Sequence, residues 1–151
     1  MNDLSYANRH DAGVELAQKL RPLATDRTVV LALVRGGVPV AYEVACELEV
    51  PLDVMLVRKL TVPEHPELAA GAIASGGVVV LNESVVGALN LTDQMLSELA
   101  AEELRSLEQA EDDYRSDRPA VQIARRSVIL VDDGLATGAT MRAAIEAARA
   151  R

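Results

Sequence analysis

The residues of this chain best suited to chemistry stand together at Val128-Ile129-Leu130-Val131-Asp132-Asp133-Gly134-Leu135-Ala136-Thr137-Gly138-Ala139-Thr140-Met141. Four aliphatic residues without alternation predict a strand covered on both faces, as in a parallel sheet. In open α/β sheets the ligand crevice lies beyond the carboxyl ends of the strands, so Asp132, Asp133 and the loop after them should face a ligand. Gly134 and Gly138 let backbone N–H groups turn inward, and a helix starting near Thr140 adds its positive end; together they form an anion nest. Thr137 and Thr140 add hydroxyl donors. A carboxylate pair beside an anion nest suits a sugar phosphate, with vicinal hydroxyls on the acids and the phosphate in the loop. Two other phosphate motifs are excluded. A Walker loop needs Lys where Ala139 stands, and the spacing of Gly134 and Gly138 is not G-x-G-x-x-G.

The elements that must carry this site can be traced along the chain. Residues Asp11 to Leu20 place Ala12, Leu16, Ala17 and Leu20 on one helical face, ended by Arg21-Pro22. Thr28 to Val34 reads as a buried strand, followed by Arg35-Gly36-Gly37 and a helix with Pro39 in its first turn. Leu52 to Val57 is the next strand, closing a βαβ unit. Leu60 to Gly77, with Pro63, Pro66, Gly71, Gly76 and Gly77, is too broken for a regular element and is expected to be a mobile excursion. Val78 to Leu81 resumes a strand, and a long polar helix runs from Thr92 until Arg118-Pro119. The expected class is α/β, a mainly parallel twisted sheet flanked by helices.

The motif at Val128 to Met141 resembles the 5-phosphoribosyl pyrophosphate (PRPP) signature of the type I phosphoribosyltransferases. That resemblance implies that Asp132 and Asp133 hold the ribose hydroxyls, with Mg2+ entering bound to PRPP. It implies that Ala136, Thr137, Gly138, Ala139 and Thr140 wrap the 5-phosphate. Arg35-Gly36-Gly37 would then be the pyrophosphate loop, which in the family often holds a non-proline cis peptide, here falling at Val34-Arg35. Lys59 resembles the basic residue that reaches the pyrophosphate, although Arg58 and Lys59 also suit an exposed, solvated pair. Thr61 to Ser75 occupies the position of the family's flexible loop, where Glu64, His65 and Glu67 could bring a general base; a solvated His in a Pro-rich loop is the alternative. Ala136 stands where hypoxanthine-type enzymes carry an acid, so the loop is closer to the adenine and orotate enzymes. The run Val34 to Ala41 with Pro66-Glu67-Leu68-Ala69 is similar to bacterial phosphoribosyltransferase-like proteins of unassigned acceptor.

Composition bounds the rest. With 151 residues, half of them hydrophobic, the chain is expected to form one domain over residues 1–151. A net charge of -8 disfavours nucleic acid and means that any polyanionic ligand requires locally gathered cations. Three Tyr and neither Phe nor Trp leave few rings to stack a base. The single cysteine, Cys46, reads as a small core residue. No apolar run is long enough for a bilayer and Met1-Asn2-Asp3-Leu4 is no signal sequence, so a cytoplasmic protein without membrane contact is expected. Only one helix follows the acidic pair, so the chain is expected to stop short of a C-terminal strand, and the resemblance implies that elements enclosing the acceptor are missing with it. A homodimer is expected, with PRPP and a small-molecule acceptor as ligands. Transfer of the phosphoribosyl group from PRPP to a nitrogen nucleophile is the first functional reading, and a non-catalytic PRPP or nucleotide sensor is the second. A phospho-receiver is set aside, because its acidic pair follows the first strand.

Overall fold

The structure, a computed structural model, describes residues 6–135 and 138–151. It is α/β, with a parallel strand pair and flanking helices. The chain divides into two compact units, Met1–Val54 with Ala120–Ala136 and Met55–Pro119 with Thr137–Arg151.

The first unit is built on a three-stranded sheet in the order β2 (Leu52–Met55), β1 (Thr28–Leu33), β6 (Ser127–Val131). All six residues of β1 are buried, which accounts for its unbroken aliphatic run. Helices α1 (Arg9–Leu20) and α2 (Gly37–Leu48) pack beside it. Their apolar faces share one cluster with the sheet: Ala17 from α1, Val40, Ala41, Val44 and Ala45 from α2, and Val30, Ala32 and Val131 from the strands. The Asn8 side chain accepts from the Asp11 N–H at 2.9 Å and fixes where α1 begins. Asp53 of β2 accepts the Val121 N–H at 2.8 Å, tying the segment that leads into β6 to the sheet.

Two expectations are corrected here. In β6 only Val131 is buried, because this strand lies at the edge of the sheet with a partner on one side. Cys46 is exposed rather than in the core, since the cluster is formed by its helical neighbours Val44 and Ala45, and Cys46 faces Tyr42 one turn earlier.

The second unit holds an antiparallel sheet in the order β3 (Val57–Val62), β4 (His65–Ala74), β5 (Val78–Leu81). The segment expected to be irregular from Leu60 to Gly77 is therefore mostly strand. Pro63 and Glu64 form a tight turn, and Gly76 and Gly77, with φ of 88° and 78°, make the next one. Pro66 is tolerated because the pairing jumps from Val62↔His65 to Thr61↔Ala69, a register shift that requires no ladder N–H from it. Leu60, Val62, Ala70, Ala72, Ile73 and Ala74 supply the buried positions. Ser75, fully buried, ends β4: its Oγ accepts the Leu56 N–H at 2.8 Å. Helix α3 (Glu83–Ala88) and α4 (Asp93–Arg115) follow, with Leu96 and Leu107 of α4 buried. Helix α5 (Ala139–Arg149) packs on the sheet through Ala143, Ala144 and Ala147. No helix among the described residues is long and apolar enough to cross a membrane.

Candidate functional site

The site in the first unit follows from strand register. β1 and β6 run parallel and pair residue for residue from Thr28↔Ser127 to Ala32↔Val131. The loops that follow them therefore leave the sheet at one level, and the glycines bring these loops into contact. The Val34–Arg35 peptide is cis, at the position the resemblance implies. At Gly37, which is buried, an added Cβ would run into the Val131 carbonyl oxygen, with the Asp132 Cα at 3.0 Å. Gly36 has ordinary right-handed backbone angles (φ -62°, ψ -32°), so space rather than conformational freedom requires glycine there. A Cβ at that position would overlap the Asp133 carboxylate itself.

The two carboxylates occupy different environments. Asp132 is half-buried, and burial pushes its carboxyl above the usual range. The Asp133 backbone N–H, donated to Asp132 Oδ1 at 2.8 Å, opposes that shift, while the neighbouring Asp133 charge adds to it. Asp133 is held low, chiefly by Arg9, whose Nε and Nη2 donate to its Oδ2 at 3.1 and 2.5 Å. Arg9 was missed by sequence reasoning. It lies 124 positions from its partner, and no spacing rule links the two. The one available signal was its place as the first residue of α1, where a cation opposes the helix dipole and so contributes little to the helix.

The other candidates fall as follows. Arg35 is exposed in the loop after β1. Lys59 and Arg58 are exposed on β3 of the second unit. Glu64 lies in the β3–β4 turn, and His65 opens β4 with its Nδ1 3.5 Å from Glu67 Oε1. Gly138 caps α5 in the left-handed region (φ 77°), Ala139 and Thr140 form the first turn, and Ala136 and Thr137 lie outside the described residues. No group of three or more His, Cys, Asp or Glu that could cage a metal occurs among the described residues. The donor set suits a cation held by one or two carboxylates with ligand phosphates and water, which is how Mg2+ is usually bound.

The chain is similar in sequence and in fold to known proteins. Two Mycobacterium tuberculosis proteins, "Putative phosphoribosyl transferase Rv0571c" of strain H37Rv and "Putative phosphoribosyl transferase MT0597" of strain CDC 1551, are each 47% identical over 145 residues. The match takes in 96% of this chain and 33% of theirs, so the chain spans a third of the length of these relatives. The crystal structure of TT1426 from Thermus thermophilus superimposes with a TM-score of 0.78 at 43% identity, over 97% of this chain and 70% of that one. The model of the phosphoribosyl transferase domain matches residues 6–151, and the chain belongs to that family.

Proposed function

We propose that the chain binds PRPP together with Mg2+ and transfers its phosphoribosyl group to a nitrogen nucleophile, with a nucleobase as the acceptor class. The observation that carries this reading is the acidic pair at the carboxyl end of β6, with Asp133 lying directly against the glycine loop that follows β1. In the reaction the bond from ribose C1 to pyrophosphate breaks, a C1–N bond forms, and the acceptor nitrogen loses its proton. Asp132 and Asp133 hold the 2- and 3-hydroxyls, and their negative charge favours the cationic ring that develops in the transition state. The same carboxylates would hold Mg2+, which supplies charge neutralisation for the departing pyrophosphate. Arg35, with the backbone of Gly36 and Gly37, binds that pyrophosphate. Lys59 and residues 136–140 take the roles their sequence positions imply, the first on the pyrophosphate and the second on the 5-phosphate. Glu64, His65 and Glu67 are the candidates for a general base that their sequence positions imply.

Binding is tested by melting. PRPP with Mg2+ at a hundred times its Kd adds about 2.7 kcal/mol, and for a chain of this size should raise the melting temperature by roughly 5–10 °C. Replacing both acids (Asp132→Asn with Asp133→Asn) should abolish that rise and leave the unliganded melt near that of the parent. A parent chain that does not respond to PRPP refutes the assignment. Binding without pyrophosphate release across a purine, pyrimidine and pyridine panel would favour the sensor reading instead.

A further inference from the structure

Asp133 is held on two sides. Its carboxylate lies against the bare Cα of Gly36, and two N–H groups of Arg9 converge on a single oxygen, Oδ2. Neither of these Arg9 groups bonds Oδ1 of Asp133. The arginine is the first residue of α1, whose start is already fixed by Asn8, and a cation there opposes the helix dipole. Its position is thus explained by what it touches and not by the helix it belongs to.

We propose that Arg9 is a positioning residue for the ribose subsite: by engaging only Oδ2 it pins Asp133 against Gly36 and leaves Oδ1 directed to accept a ribose hydroxyl. This rests on the reading of the acidic pair as the ribose grip. Arg9 touches neither the transferred group nor the leaving group in this role. Its effect is to remove the rotational freedom that Asp133 would otherwise lose on binding.

The test is calorimetric titration of the parent, Arg9→Gln and Arg9→Lys with PRPP–Mg2+ and, separately, with pyrophosphate–Mg2+, alongside melting curves. Since the pair is partly exposed, Arg9→Gln should weaken PRPP about fivefold. Pyrophosphate binding should be unchanged, Arg9→Lys should recover part of the loss, and the melting temperatures should stay within about 2 °C of one another. Unchanged or tighter PRPP binding in Arg9→Gln overturns the proposal, because the arginine would then be idle or a competitor of the ligand. An equal loss for pyrophosphate also overturns it, as that would mark a general charge effect. Failure of the parent to bind PRPP would overturn the underlying reading and this one with it, whereas a binding parent with an indifferent Arg9→Gln overturns this one alone.

Discussion

Replacing Gly36 by Ala should separate the site from the fold. The backbone there is already right-handed helical, so alanine brings no conformational penalty, and the three atoms nearest the added Cβ all belong to the Asp133 carboxylate. To restore ordinary contact the carboxylate must retreat by roughly 1 Å. That movement sacrifices the Arg9 pair, which is 59% and 30% exposed on its two sides and so is worth about 0.2–1 kcal/mol. Replacing glycine restricts the unfolded chain and returns about 0.4–1 kcal/mol. The two terms nearly cancel, and the melting temperature should move by no more than about 4 °C. Binding should respond very differently, because the displaced carboxylate loses its charge-assisted hydrogen bond to a ribose hydroxyl, worth about 1.5–3 kcal/mol. Calorimetric titration with PRPP–Mg2+ should show a fall of roughly ten- to a hundredfold, beside a melting curve close to the parent. The adjacent substitution Gly37→Ala is the control. Its Cβ would strike the Val131 carbonyl oxygen and crowd the Asp132 Cα, backbone that no rotamer can relieve, so it should cost about 1–3 kcal/mol of stability. A Gly36→Ala chain that binds PRPP like the parent, or that melts as poorly as Gly37→Ala, refutes the reasoning.

Two further outcomes probe parts away from the acidic pair. Ser75→Ala leaves the Leu56 N–H without its Oγ acceptor in a fully buried position and should cost about 1–3 kcal/mol, read as a lower urea midpoint; a loss below about 0.5 kcal/mol would show that the bond is dispensable. His10 donates to Glu43 at 2.9 Å, and that hydrogen bond, then the Glu43 charge, raises its pKa above 6.5. Because the folded value is the higher one, the stabilisation is complete below 6.5 and is lost as pH rises through the folded pKa. In an NMR titration His10 should titrate above 6.5 and return toward it in Glu43→Gln; an unchanged midpoint in that variant would remove the pairing.

The parallel part of the fold and the acidic and glycine loops of its candidate site were legible because both rest on local signals. β1 announced itself as an aliphatic run, and the acidic pair and the glycine loop stand directly after strands, where a parallel sheet puts its ligands. The antiparallel unit was misread for a reason of composition. Three of the four buried positions of β4 are alanine, at Ala70, Ala72 and Ala74, which carries almost no periodic signal, while Pro63, Pro66, Gly76 and Gly77 read as breakers. In the structure those four residues occupy two turns and a register shift, where a hairpin tolerates them. Arg9 was hidden for a different reason: its partner is brought to it by tertiary packing, and the only trace in the helix that carries it is a cation set against the helix dipole. Cys46 shows the limit of apolar flanks as evidence, since one step around a helix separates a core position from an exposed one.

The pairing of β1 with β6 also bears on how such a site can change over evolutionary time. Parallel strands advance about 3.3 Å per residue and alternate their faces, so deleting a single residue between Ser127 and Val131 would withdraw the acids by that distance and turn each to the opposite side of the sheet. Substitutions along β6 preserve the ladder, and changes of length do not. Lineages descended from such a chain are free to drift in the identity of these strand residues while their number stays fixed, and new ligand preferences would have to arise in segments outside this two-strand ruler.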